Sequence, residues 1–128
     1  MKPEAAAFLA KAHECLAKAD GMLGRWPDEA GREAYLAGLH AAQAFLVERT
    51  GEVVRRHRGV QRELARLTKD TPQLDPELRT FLGRSYNLKA IADYEIGPDA
   101  EVTRETAAEA IRTARRFVAR MAELIEAG

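Results

Sequence analysis

Residues 35–46 read YLAGLHAAQAFL, and their spacing decides the fold. Wound as a helix, this part of the chain shows two adjacent rows: Tyr35, Leu39, Ala42 and Leu46, and beside them Ala34, Gly38, Ala41 and Phe45. Members of each row recur at steps of three and four, the period of a single helical face. Two neighbouring rows make an apolar surface too wide for a helix at the edge of a fold, so this segment predicts the central helix of a bundle, ending near Thr50. Asp28 and Glu29, just after the Gly24-Arg25-Trp26-Pro27 break, sit where acids favour a helix N-terminus. Gly38 costs about 1 kcal/mol relative to Ala in a helix interior, and the chain tolerates that best where another backbone comes close. A third row, Leu36, His40, Gln43 and Val47, mixes polar and apolar residues and suits either a solvent face or a self-association surface.

On the N-terminal side, Pro3 and Glu4 suit a first helical turn, and Leu9, Ala12, Leu16, Ala19 and Leu23 make one buried stripe that predicts a helix to about Met22. His13 lies beside that stripe as an edge histidine, with no neighbouring set of metal ligands. On the C-terminal side, Gly51 ends the central helix. Val60, Leu64 and Leu67 then give a thin stripe for a short helix across the bundle. Asp75-Pro76-Glu77 is a helix start, with a capping carboxylate, Pro at the first position and an acid in the first turn. Leu78, Phe81, Leu82, Ser85, Leu88 and Ala92 form its expected buried face, and Gly97-Pro98 its stop. Thr103 caps a last helix whose stripe is Ala107, Ile111, Ala114, Val118, Met121 and Ile125, with Met121 as core filler. The prediction is an all-α, up-and-down bundle of four long helices plus one short basic helix, in a single domain over residues 1–128.

A chain of 128 residues buries about two-thirds of the surface its unfolded form exposes, enough for a core without a disulfide or metal. Cys15 is the only cysteine, which excludes an internal disulfide and a multi-cysteine zinc site. No apolar run reaches membrane-spanning length and no leader pattern opens the chain, so the expected compartment is the cytoplasm. Lys plus Arg and Asp plus Glu number 20 each, so only the distribution of charge is informative. Residues 49–69 are the basic block, with six Arg and one Lys against two Glu. Arg55, Arg56, His57, Arg58 and Arg62 are either a solvated face or a phosphate-contacting patch, for which the planar guanidinium fork is suited. Gly-rich phosphate loops, His-Glu-x-x-His, nucleophile elbows and paired Glu-x-x-His elements are all missing, which excludes the common metalloenzyme patterns and leaves no cofactor expected.

Residues 84–98, RSYNLKAIADYEIGP, carry the remaining chemistry. In a helix Tyr86, Lys89 and Asp93 share a face and Tyr94 follows near the end. Lys89 and Asp93 there form either an ordinary i, i+4 ion pair worth about 0.2–0.5 kcal/mol or part of a site. Taken in order, YLAGLHAAQAFL, RHRGV (Arg56 to Val60) and YNLKAIADYE (Tyr86 to Glu95) resemble the HEPN domain family, in particular its small stand-alone branch with an Arg-x-x-Ala-Asp-Tyr signature. The resemblance spans nearly the whole chain. Many family members are metal-independent RNases that use an Arg, four to six spacers and a His on the fourth helix, usually with a Tyr two residues later. Here Lys89 stands at the place of the Arg, Asp93 near that of the His, and Tyr94 is kept nearby. Arg32 and His40, like Arg49 and His57, are separated by seven residues, too many for the motif.

Metal-free RNA cleavage needs a group with a pKa near neutral and a cation for the phosphorane. Lys89 supplies charge, but Asp93 is a weak base unless burial raises its pKa. The resemblance thus implies a homodimeric partner of a minimal nucleotidyltransferase in a toxin–antitoxin or defence-type module, with a degenerate RNase site. In some such pairs AMP is transferred to a tyrosine just after the motif, which Tyr94 resembles; otherwise Tyr94 packs against the last helix. Two alternatives stay open. One is an RNase with a rearranged site of Lys89, Asp93, Tyr94, Asn87 and His57. The other is a helical RNA- or nucleotide-binding module on the Arg55 to Arg66 face.

Overall fold

The computed structural model describes residues 1–95 and 101–128. Five α-helices follow in order: α1 (Pro3–Met22), α2 (Pro27–Thr50), α3 (His57–Leu67), α4 (Pro76–Tyr94) and α5 (Arg104–Ala127). The described residues contain no strand, as an all-α bundle requires.

The ends of the helices follow local chemistry. The Asp75 carboxylate accepts the Leu78 N–H at 3.0 Å, and Thr103 Oγ1 accepts that of Thr106 at 3.1 Å. Both satisfy donors that a helix start leaves free. Gly51 closes α2 in the left-handed region at φ 79°, where its N–H reaches Val47 O at 2.9 Å. Helix α4 ends at Tyr94, with Glu95 as its extended cap, while the expected Gly97-Pro98 stop lies outside the described residues.

Helix α2 is the centre, packed against α1, α4 and α5, with α3 laid across it and α4. Gly38 does mark a tight crossing. A Cβ there would overlap the Phe81 ring of α4 and stand 3.3 Å from Leu82 Cδ2. The α5 stripe is buried throughout, with Met121 fully enclosed. The third row of α2 is a correction to the reading of its surface. Gln43 and Val47 are buried, and Gln43 Nε2 donates to Val54 O at 2.9 Å, so the chain leading into α3 covers part of the row. Only Leu36 and His40 keep partial exposure, and His40 is held by Gln43 and stacked near Phe8. Helix α4 also departs from its expected stripe. Leu78, Phe81, Leu82 and Ser85 are buried, but Leu88 and Ala92 are only partly covered; Leu88 borders an open groove of about 210 Å³ between α4 and α5.

Candidate functional site

The exposed side of α4 meets α2 and the start of α3, and polar side chains from all three converge there. On α2, Arg32 and Tyr35 are three residues apart and so share a face. Arg32 Nε donates to Asp93 Oδ1 at 2.8 Å, while Lys89 Nζ, one turn before Asp93 on α4, meets Oδ2 at 2.9 Å. Asp93 therefore bridges two cations from two helices, and its side chain is only 22 % exposed. The hydrogen bond from Lys89, reinforced by the charge of Arg32, holds the Asp93 carboxyl below its usual range. The same bond pushes Lys89 up. Asp93 is thus a fixed counter-ion, the opposite of the raised carboxyl that general-base work at neutral pH requires.

Beside this triad stands an aromatic one. His57, the first residue of α3, has Nδ1 2.8 Å from the Tyr35 hydroxyl and stacks on Tyr86 of α4 at 4.1 Å between ring centroids. Tyr35 meets Tyr86 edge-on at 5.5 Å. Burial, with Tyr86 adding to it, pushes the Tyr35 phenol up to about 12, so it keeps its proton and can either donate to Nδ1 or accept from it. A donating Tyr35 leaves the His57 proton on Nε2. An accepting one leaves Nε2 as a base. Desolvation, then the Arg58 charge, holds His57 below its ordinary pKa and favours the neutral ring.

The two triads meet at Lys89, whose Nζ lies 6.0 Å from the Tyr86 ring and 5.1 Å from that of Tyr94. Tyr94 is 74 % exposed at the end of α4, so the alternative in which its ring packs against α5 does not hold. Asn87 is exposed, and its side chain makes no hydrogen bond among the described residues. Arg55, Arg56, Arg58 and Arg62 are exposed around His57 and enter no ion pair among the described residues, whereas Arg66 is held by Glu63 at 2.9 Å. No group of three metal-ligating side chains occurs among the described residues. No described helix is long and apolar enough to cross a membrane.

Lys89, Asp93, Tyr94 and His57 are therefore brought to one surface. Arg32 and Tyr35 were missed by sequence reasoning. Tyr35 was the one hydroxyl among the apolar rows of α2, and Arg32 sits one turn before it; the pair was the available signal.

The HEPN domain family model matches residues 5–124. In structure the chain is similar to the crystal structure of TT1696 from Thermus thermophilus, with a TM-score of 0.74 and 26 % identity, over 96 % of this chain and 99 % of that one. No curated protein matches it in sequence.

Proposed function

Because the chain belongs to the HEPN domain family, whose model covers residues 5–124, we propose that it is the HEPN component of a toxin–antitoxin or defence-type module paired with a minimal nucleotidyltransferase. In this reading the chain is a homodimer, its RNase site is degenerate, and Tyr94 is the acceptor of AMP. The observation that carries the reading is the exposure of Tyr94, 74 %, on the last turn of α4 with Lys89 Nζ 5.1 Å from its ring. A phenol in solvent can enter a second protein's active site, and a neighbouring ammonium favours an incoming triphosphate. In the transfer, the Tyr94 oxygen bonds the α-phosphorus of ATP, pyrophosphate leaves, and the phenolic proton passes to a base of the partner. The degenerate site is supported by Asp93, which two cations keep ionised.

The test is co-expression with a minimal nucleotidyltransferase, where one is encoded beside this chain, and intact-mass measurement. The expected result is a mass increase of one AMP in wild type and none in Tyr94→Phe. An adduct that persists in the Phe variant, or none in either with an active partner, overturns the assignment.

A second reading, a metal-independent RNase with a rearranged site, is favoured by one observation. His57, absent from the motif position on α4, reaches that helix from α3 and stacks on Tyr86 at 4.1 Å. Its neutral ring is the kind of group that moves a 2′-hydroxyl proton. Purified protein incubated with RNA and a chelator decides this reading. Cleavage that is lost in His57→Asn supports it, and intact RNA ends it.

A further inference from the structure

Helices α4 and α5 are tied by charge at one place and stand open at another. Arg116 of α5 pairs with Asp75 and Glu77 at the start of α4, at 2.6 and 2.5 Å. Leu88, further along α4, shares the groove with Thr106 at the start of α5, so the two helices run antiparallel. Arg84, seven residues beyond Glu77, therefore comes opposite Glu109, seven residues before Arg116. Seven residues are about two turns, which keeps both on the faces that carry the first pair. The second pair does not form. Arg84 and Glu109 line the open groove of about 210 Å³, and neither side chain enters an ion pair or hydrogen bond among the described residues. The lining residues next to them, Ser85 and Ala110, are small.

The lining has a definite chemistry. Phe81, Leu88 and Ala110 supply apolar surface. The Ser85 hydroxyl donates to Phe81 O at 2.7 Å and the Thr113 hydroxyl to Glu109 O at 3.1 Å, so each offers the groove only lone pairs. Ser85 is only 3 % exposed, which sets its oxygen deep in the lining. The Glu109 carboxylate adds further acceptors, and the Arg84 guanidinium faces them as a planar donor. An occupant that satisfies all of these has an ammonium, a carboxylate and an apolar body. We infer that the groove binds a free α-amino acid with an apolar side chain of about leucine's size. Its carboxylate takes Arg84, its ammonium takes Glu109 and the hydroxyl oxygens, and its side chain lies on Phe81 and Leu88. An ammonium and a carboxylate on one carbon bridge two side chains that do not reach each other. Sites for drug-sized molecules measure roughly 300–1,000 Å³, so this smaller groove suits a single amino acid. Lys89, Asp93 and Tyr94 are not among its lining residues, and the inference stands apart from any modification of Tyr94.

The experiment titrates L-leucine, 4-methylpentanoate, 3-methylbutylamine and glycine separately into the protein, following the Ala110 methyl and Phe81 ring signals by nuclear magnetic resonance. The second ligand is leucine without its ammonium, the third leucine without its carboxylate, and glycine lacks the side chain. Leucine is expected to move both signals saturably, and each of the other three to bind at least about tenfold more weakly, the scale of one charge-assisted hydrogen bond. Arg84 and Glu109 are exposed, so Gln at either position keeps the fold, which circular dichroism verifies. Arg84→Gln is expected to weaken leucine about tenfold and leave 3-methylbutylamine unchanged, and Glu109→Gln to weaken leucine equally and leave 4-methylpentanoate unchanged. Wild-type signals that do not move with leucine overturn the site. An analogue that binds as tightly as leucine overturns the amino-acid class, and leucine affinity that survives both substitutions overturns the roles of Arg84 and Glu109.

Discussion

The Tyr35 hydroxyl lies 2.8 Å from His57 Nδ1, and this hydrogen bond joins the central helix to the first residue of α3. The hydrogen bond uses the edge of the imidazole while a face stacks on Tyr86, so one ring links α2, α3 and α4. A short helix with so few buried side chains, Val60 and Leu64, depends on such a link.

That link predicts an acid-sensitive stability. The folded pKa of His57 lies below 6.5, so the unfolded chain takes up its proton first as pH falls. The contribution is complete above about 6.5 and is lost as pH drops from there through the folded value. Urea midpoints measured from pH 7.5 to 5 are expected to decline, and His57→Asn to flatten the decline while lowering the whole curve. A wild-type curve that rises or stays level over this range contradicts the link.

Gly38→Ala is expected to destabilise the protein. Alanine gains about 1 kcal/mol of helix propensity, but overpacking costs typically about 1–3 kcal/mol. The new methyl meets the Phe81 ring, which is itself packed on Phe117 at 5.4 Å, so the ring must give up part of its packing to admit it. Phe81→Leu in the same chain is expected to recover part of the loss. Thermal melts of the single and double variants measure both.

The tight crossing at Gly38 was legible because glycine in a helix interior has few other reasons to be there. The α5 stripe, the first half of the α4 stripe, the caps at Asp75 and Thr103 and the centrality of α2 were legible because helical period and termini are local properties. Gln43 and Val47 were misread for the opposite reason. What covers them is the chain near Val54, and contacts with a segment that has no period leave no trace in spacing. The site was half legible for the same cause. Lys89 and Asp93 are i, i+4 neighbours and show themselves in sequence, whereas Arg32 and His57 reach α4 from elsewhere in the bundle.

RNA binding, where it is found, is expected to depend on Arg55, Arg56, Arg58 and Arg62, which are exposed and free of ion pairs among the described residues. Arginine on phosphate releases counterions, so the quadruple Gln variant is expected to bind more weakly and to show a shallower dependence of log K on log salt. Filter binding across a salt series measures both. Undiminished binding assigns the four arginines to a solvated face.

Cys15 is expected to resist alkylation in the folded protein. Burial, aided by the charge of Glu33, pushes its thiol up to about 11, and the thiolate is the reactive form. Iodoacetamide at pH 8 is expected to label the urea-unfolded chain far faster than the native one. Because the folded pKa is raised, this thiol's contribution to stability is whole below 9.0 and is lost as pH rises toward about 11. Labelling at equal rates places the thiol in solvent.

Arg32 and Asp93 are expected to be coupled more strongly than a typical surface pair. Their side chains are 34 % and 22 % exposed, and the bond joins two helices rather than two turns of one, so it also restrains the end of α4. Exposed pairs are worth about 0.2–1 kcal/mol, and this one belongs near the upper end. The loss of Asp93 should cost more than that of Arg32, because Asp93→Asn disconnects Lys89 as well, while Arg32→Gln leaves the Lys89 pair intact. A double-mutant cycle by chemical denaturation gives the coupling, and comparing each partner's cycle with Lys89 separates the pairs. A zero coupling between Arg32 and Asp93, with Lys89 and Asp93 still coupled, would reduce the triad to one helical ion pair and leave the last turn of α4 untied to α2.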